Sequence, residues 1–256
     1  MNIALLGYGK MGRTIETLAQ AAGHPIVLRI DEHNRADLTP ADLAAADVAI
    51  EFSRPDAAIG NINLALEAGV PIVVGTTGWL AELPTIQRRV EVADGALFWA
   101  SNFSVGVNIF FELAQRAAEL LGPYGDDYRP TIEEIHHTQK LDAPSGTAIT
   151  LAERTAIGLP NYESWELADV RSPTPTQRIA PATAPTGGKQ ALPITSLREP
   201  DVPGTHTLRL TSAVDTLELK HTAHSRQGFA QGALTAARWI IGRRGTFTMT
   251  DLLGGQ

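Results

Sequence analysis

The chain has 256 residues, enough for one large domain or two modest ones with a buried core. Hydrophobic residues make up 43% and charged residues 19%, which excludes a chain that is disordered throughout. The 28 acidic and 21 basic residues leave a formal net charge of -7, which excludes bulk electrostatic binding to nucleic acid or an anionic membrane. An anionic ligand must be met by a local positive site. With no cysteine there is no disulfide, thiolate zinc site, iron–sulfur cluster or Cys nucleophile. The opening MNIALLGYGKMG has no basic leader before its apolar run, and no apolar run approaches the roughly 20 residues of a membrane span. A cytoplasmic location is the expectation.

The first hundred residues alternate strand and helix. Ile3–Leu6 is a short apolar strand ending at Gly7. Ile15, Leu18, Ala19 and Ala22 make a helical face stopped by Gly23. Ile26–Ile30 is a second strand and Asp47–Phe52 a third. Pro55 opens a helix with Ala58, Ile62, Ala65 and Leu66 inward. Val70–Val74 and Leu97–Ala100 complete five strands. This order predicts a parallel sheet covered on both faces, with ligands at the carboxyl ends of its strands.

The second half reads differently. A helix is expected from about Val107 to Leu121, with Ile109, Leu113, Ala117 and Leu120 on one face. Thr131–Ile135 alternates like a strand, and a helix follows Thr147. From Ser172 to Pro203 there are seven prolines and the pair Gly187-Gly188, which suggests long loops between short strands. Thr205–Leu210 and Thr216–His221 read as paired strands of an antiparallel or mixed sheet. Gln227–Ile241 is the last helix, carrying Phe229, Leu234, Ala237 and Ile241. The fold class is thus α/β: a Rossmann-type parallel-sheet dinucleotide domain plus an α+β domain with a mixed sheet.

Two stretches carry chemistry. Gly7-Tyr8-Gly9-Lys10-Met11-Gly12 is GxGxxG between a strand and a helix. Gly7 permits the turn, Gly9 admits a pyrophosphate at the helix N-terminus, and Gly12 allows close helix packing. Asp31, at the end of the second strand, can accept from a ribose 2′-hydroxyl and repel a 2′-phosphate. Glu32 adds to that, so NADH is favoured over NADPH, while Arg35 softens the preference. The other stretch, His136-His137-Thr138-Gln139-Lys140-Leu141-Asp142-Ala143-Pro144-Ser145-Gly146-Thr147, puts two histidines and a lysine within five residues. Ser145, Gly146 and Thr147 then open a helix whose N–H groups suit an anion. The result is a cationic basin for a carboxylate, with a His and a Lys able to move protons. No Cys or carboxylate triad accompanies the paired histidines, so no metal is expected.

The string Glu134-Ile135-His136-His137-Thr138-Gln139-Lys140-Leu141-Asp142-Ala143-Pro144-Ser145-Gly146-Thr147-Ala148 closely resembles the signature of the 4-hydroxy-tetrahydrodipicolinate reductase (dihydrodipicolinate reductase) family. The resemblance extends to the N-terminal GYGKMGR, to Gly75-Thr76-Thr77-Gly78, to Ala100-Ser101-Asn102-Phe103-Ser104, and to His224-Ser225-Arg226 with Phe229-Ala230. It implies NAD(P)H-dependent reduction of a cyclic dicarboxylate with loss of water, in the diaminopimelate route to lysine. His136 is implied as proton donor/acceptor and Lys140 as second proton donor. His137, Ser145, Gly146 and Thr147 would bind the substrate. Gly75, Thr76 and Thr77, with Ala100, Ser101, Asn102 and Phe103, would line the nicotinamide and its ribose. Family members are typically homotetramers whose domains close over the substrate. The implied division is a dinucleotide-binding domain, 1–103 completed by 222–256, and a substrate-binding and oligomerisation domain, 104–221. The sequence departs from the family's usual pattern at Glu32, where Arg is frequent, and at Glu51 and Ser53, where Asp and Thr are. The glycine loop is also one residue shorter than in many relatives. Phe52, Ser53 and Arg54 are therefore assigned only weak cofactor roles.

Three other readings compete. A Rossmann reductase of another small acid would lack the HHxxKxDAPSGT basin. A non-catalytic dinucleotide sensor would not need His136 and Lys140 together. An aldolase with Lys140 as Schiff-base lysine would not need the glycine loop.

Overall fold

The computed structural model describes residues 1–35, 38–125, 127–172, 180–181, 189–225 and 227–254. In chain order the first elements are β1 (Ile3–Leu6), α1 (Lys10–Ala21), β2 (Ile26–Ile30), β3 (Val48–Glu51), α2 (Pro55–Glu67), β4 (Ile72–Val74), α3 (Leu83–Val92) and β5 (Ala96–Trp99). Then come α4 (Val105–Leu121), β6 (Arg129–His136), β7 (Asp142–Ala143), α5 (Gly146–Gly158), β8 (Tyr162–Arg171), β9 (Ala180–Pro181), β10 (Gln190–Arg198), β11 (Thr205–Thr211) and β12 (Thr216–Thr222). The chain ends with α6 (Gln227–Ile240), β13 (Gly245–Phe247) and α7 (Met249–Leu252). None of the described helices is long and apolar enough to cross a membrane.

The chain divides into two compact units. The first holds Met1–Val105 and Gln227–Gln256, the second Gly106–Arg226. In the first, six parallel strands lie in the order β13-β5-β4-β3-β1-β2. The inner strand β1 is buried at every position, as a strand covered on both faces must be. Ile3 and Leu5 join Ile15 and Ala19 of α1 and Ala233 and Ala237 of α6 on one face. Ala4 and Leu6 join Ile62 and Ala65 of α2 and Ile86 and Val90 of α3 on the other. The strand order reverses between β1 and β3, the place where such sheets open a crevice for ligands.

The second unit has a mixed five-stranded sheet, β12-β11-β6-β10-β8. β6, β10 and β8 run parallel, while β11 is antiparallel to both β6 and β12. Phe110 and Ala114 of α4 and Leu151 of α5 pack on Leu192, Ile194 and Leu208 of the sheet.

Several expectations are corrected. The inner face of α4 is Val107, Phe110, Phe111, Ala114 and Ala118. Ile109, Leu113 and Leu120 are exposed. This helix has apolar residues on two sides, and the side with two phenylalanines buries the larger area. Ala22 and Ile241, at helix ends, are also exposed. The stretch from Ser172 to Pro203 holds a continuous nine-residue strand, β10, despite its prolines. Pro193 pairs with Glu166 of β8, and β6 joins β10 only from Ile194 onward, so the proline stands where one side of the strand is unpaired. The pair Gly187-Gly188 lies outside the described residues, as does Arg226. Helix α3 and the edge strand β13 were not anticipated.

The β1–α1 corner is tight. Gly7 has φ +106°, and a Cβ on it would lie 2.1 Å from the Phe52 carbonyl oxygen. A Cβ on Gly12 would lie 2.3 Å from the Gly7 carbonyl oxygen. An alanine in a helix normally gains about 1 kcal/mol over glycine. At position 12 the clash must reverse the sign. Gly12→Ala is expected to destabilise by about 1–3 kcal/mol in urea denaturation, the usual cost of overpacking. A stabilised variant would contradict this account of the corner.

Candidate active site

The carboxyl ends of β1, β2 and β3 border a cavity of about 530 Å³ in the first unit. Gly7, Tyr8, Gly9 and Asp31 line it, together with Arg35 and Asn61. A second cavity, about 290 Å³, shares Phe52 and Ser53 with the first and adds Met11, Gly75, Thr76 and Thr77. Lys10 is exposed on α1, and Gly12 is buried beneath the loop. Ala100, Ser101, Asn102 and Phe103 line neither cavity. Phe103 is buried with its ring 5.6 Å from that of Phe52, and Asn102 Oδ1 accepts from the Ser104 N–H at 2.9 Å. Ser101 is exposed.

The residues present fit a dinucleotide. Gly9 is the N-cap of α1, no side chain caps that helix, and a Cβ on Gly9 would meet nothing within 4 Å. An open backbone at a helix N-terminus suits a pyrophosphate. Asp31 is fixed at its strand end by the His33 N–H (2.9 Å to Oδ1) and by its own N–H donating to Asn34 (2.8 Å). Tyr8 is held by a hydrogen bond to Glu16, and the guanidinium groups of Arg13 and Arg29 lie 5.2 and 5.9 Å from its ring centre. Arg35 Nε donates to Asn61 Oδ1 at 2.6 Å, and Asn61 in turn donates to Glu51 at 3.2 Å. Burial pushes the Glu51 carboxyl above its ordinary range, against opposing hydrogen bonds from Ser53, Thr76 and Asn61.

In the second unit, the alternation of β6 puts Ile132, Glu134 and His136 on its buried face. Glu134 is fully buried. Its carboxylate accepts from the Ser145 N–H at 3.1 Å, the Ser196 hydroxyl at 2.7 Å and Arg198 Nη2 at 3.4 Å. His136 Nδ1 lies 3.2 Å from Oε2, and His206 Nε2 lies 3.7 Å away. Burial alone would push the Glu134 pKa up, but the adjacent His136 and hydrogen bonds from Ser145 and Ser196 outweigh it and hold the group at about 2. Burial takes His206 down to about 3, with repulsion from His136 adding to it, so His206 is neutral at neutral pH.

Arg198 extends this cluster to the loop beyond β6. Its Nη2 donates to the Asp142 carbonyl at 2.6 Å and its Nε reaches the Lys140 carbonyl at 3.4 Å. Lys140 Nζ is paired with the exposed Asp142 carboxylate at 2.7 and 2.8 Å. Ser145 is turned inward: it caps α5 through the Ala148 N–H (3.1 Å), and its hydroxyl lies 3.1 Å from His206 Nε2. Gly146 is exposed at the start of α5, and Thr147 is half-buried beside it. His137 lines a separate cavity of about 330 Å³ with Gln139, Asp201 and Pro203.

Glu134, His136 and His206 offer donor atoms within 4.8 Å of one another, the types a metal would take. Arg198 sits on the same carboxylate, and N–H and O–H donors already occupy its oxygens. A second cation there would meet a buried positive charge, so the cluster is read as a hydrogen-bond network. Sequence reading passed over Glu134, Asp142, Ser196, Arg198 and His206. The signal for Glu134 was present: it stands two residues before His136 and two after Ile132, on one face of a strand.

Two family models cover the chain in order, the second running on through α6, β13 and α7 of the first unit. The family model described as dihydrodipicolinate reductase, N-terminus, matches residues 1–103, and the one described as its C-terminus matches 106–253. A 4-hydroxy-tetrahydrodipicolinate reductase from Christiangramia forsetii is 43% identical over 99% of this chain and 98% of its own length. One from Ralstonia pickettii is 35% identical over 84% of this chain and 76% of its own. Among solved structures, a dipicolinate-bound dihydrodipicolinate reductase from Paenisporosarcina sp. TG-14 superposes with a TM-score of 0.75 at 23% identity, covering 98% of both chains. With both halves matched in order, the chain belongs to the 4-hydroxy-tetrahydrodipicolinate reductase family and is a pyridine-nucleotide-dependent oxidoreductase.

Proposed function

We propose that the chain reduces 4-hydroxy-tetrahydrodipicolinate to tetrahydrodipicolinate with loss of water, using NADH in preference to NADPH, in the diaminopimelate route to lysine. The observation that carries this reading is one loop. Between the end of β6 and the start of α5 it holds His136, His137, Lys140 and a helix N-terminus, a positive concentration in a chain of net charge -7. The Paenisporosarcina protein is dipicolinate-bound, and dipicolinate is a flat ring dicarboxylate. Such an anion is met by charge-assisted hydrogen bonds from His137 and Lys140 and by the first turn of α5 at Gly146 and Thr147.

The nicotinamide, when bound, supplies the hydride. Gly7–Gly12 hold the pyrophosphate on the N-terminus of α1. Asp31 accepts from the adenosine ribose, and Gly75–Thr77 with Ala100–Phe103 face the nicotinamide end. The chain's own work is to orient the dicarboxylate and move protons. Lys140, drawn from Asp142, supplies the proton with which the hydroxyl departs as water, and His136 takes up the ring proton lost in that elimination and returns one to the ring when hydride arrives, so one net proton is consumed. Asp31 beside Glu32 repels a 2′-phosphate, while Arg35 in the same cavity tempers the discrimination. The proposed setting is the cytoplasm, and the proposed assembly a homotetramer joined through the second sheet. Its edge strand β12 is exposed along most of its length.

A coupled assay tests this directly. Pyruvate and aspartate semialdehyde are condensed by the upstream synthase, and oxidation of NADH and NADPH is followed separately. Oxidation is expected with both and faster with NADH; folded protein that oxidises neither would end the proposal. His136→Gln and Lys140→Ala should each lower kcat by about 10²–10⁴-fold, the range for a positioned general acid, with NADH affinity nearly unchanged. Loss of NADH binding in either variant would contradict the assigned roles. Asp31→Ala should move the NADPH/NADH ratio of kcat/KM upward; an unmoved ratio would remove Asp31 from the ribose site.

A further inference from the structure

A histidine that exchanges protons must present one particular ring nitrogen, and the partner of the other nitrogen decides which. His136 Nδ1 is buried and faces Glu134 Oε2 at 3.2 Å. The side chain is 10% exposed, and that exposure belongs to atoms other than Nδ1. Nε2 stands beside Gly204, where an added Cβ would lie 3.1 Å from it. The Nδ1–Oε2 contact is within hydrogen-bond distance but off-line, as catalytic contacts commonly are before substrate binds.

Every element around this pair bears on it. From β6 comes Glu134 itself, and from β10 Arg198 and Ser196 on the same carboxylate. From β11 comes His206, its ring centre 5.0 Å from that of His136 and nearly perpendicular to it. From the α5 cap comes Ser145, and from the loop Lys140, whose carbonyl Arg198 reaches. His206 Nε2 is engaged by the Ser145 hydroxyl, which leaves His136 as the histidine of the two that can serve the reaction. A carboxylate needed only to pair Arg198 would not require a histidine on its second oxygen.

Building on the reading of His136 as the proton donor, we infer that Glu134 is a positioning residue for the reaction: its buried carboxylate keeps the proton on His136 Nδ1 and leaves Nε2 as the nitrogen that exchanges protons. In the donating state both ring nitrogens carry hydrogen. Nε2–H gives its proton to the substrate, the ring is left neutral as Nδ1–H, and Glu134 stays ionised throughout. The logic is that of a carboxylate behind a catalytic imidazole, where the acid fixes tautomer and orientation without taking the proton.

The test is a long-range proton–nitrogen correlation spectrum of the ¹⁵N-labelled full chain, with the His136 signals identified by their loss in His136→Gln. In the wild type, Nδ1 should resonate as the protonated nitrogen and Nε2 as the bare one once the ring is neutral. The opposite tautomer overturns the inference, and this reading needs no variant at the buried site. Glu134→Gln should move the proton to Nε2 and lower kcat by about 10²-fold or more, with KM for NADH unchanged. Glu134→Asp should recover part of that loss. A folded Glu134→Gln protein with wild-type kcat also overturns the inference. If His136→Gln itself keeps full activity, the role of His136 fails and the inference falls with it. If His136→Gln is inactive while the tautomer or Glu134→Gln result is adverse, only the role of Glu134 is lost.

Discussion

The second unit is organised around one buried negative charge. Placing a carboxylate where Glu134 sits costs several kcal/mol unless donors replace the lost water. Here the replacement comes from separate parts of the chain: the Ser145 N–H at the start of α5, Ser196 and Arg198 on β10, and His136 two residues along β6. Each donor is held by its own secondary structure, so the charge is satisfied only when all of them are in place. Arg198 has a second hold, on the carbonyls of Lys140 and Asp142. The ion that fixes the interior therefore also fixes the loop that carries His137 and Lys140. On the proposed reading, stability and chemistry share one interaction.

The first unit solves the opposite problem. Its ligand is an anion, and it offers mostly backbone. Gly7 turns the chain at φ +106°, Gly12 lets α1 lie against β1, and Gly9 leaves the helix N-terminus uncovered. On the proposed reading, the partial positive charge of the helix end does what a cluster of lysines would do elsewhere. On the same reading, a chain with a net charge of -7 meets two anionic ligands through local positive potential, carried by backbone dipoles in the first unit and by His137, Lys140 and the start of α5 in the second.

How much of this was legible in the sequence follows from how local each feature is. The β1–α1 corner and the acid closing β2 are written in contiguous residues, because glycine geometry is a short-range constraint. The loop of His136, His137 and Lys140 is likewise contiguous. The partners of Glu134 are not. Ser196 is 62 residues away and Arg198 64, and they meet it only because β10 pairs with β6 in parallel. Strand pairing of that range leaves no local mark. The face of α4 was misread for another reason: apolar residues stand on two sides of it, and helical period alone does not choose between them. The strand through Pro193 was hidden by composition, since a proline reads as a break unless the unpaired side of the strand is known. The edge strand β13 is three residues long and carries too little pattern to register.

The central claim, that the interior of the second unit holds an ionised Glu134 beside a neutral His206, has a direct thermodynamic consequence. His206 is depressed in the folded chain to about 3 from 6.5, so the unfolded chain takes up a proton first as pH falls. Its stabilisation is complete above pH 6.5 and is lost progressively below it, while that of Glu134, held at about 2, is lost only below its ordinary value of 4.5. His24 and His221 are also lowered by burial and add to the same slope, so the His206 share is the difference between wild type and His206→Asn. Urea denaturation of both proteins at pH 7.5, 6, 5 and 4.5 measures it. The wild type should lose about 2 kcal/mol more than the variant between pH 7.5 and 5, one proton's worth of linkage. Parallel curves over that range would contradict a buried, neutral His206 next to the Glu134 ion.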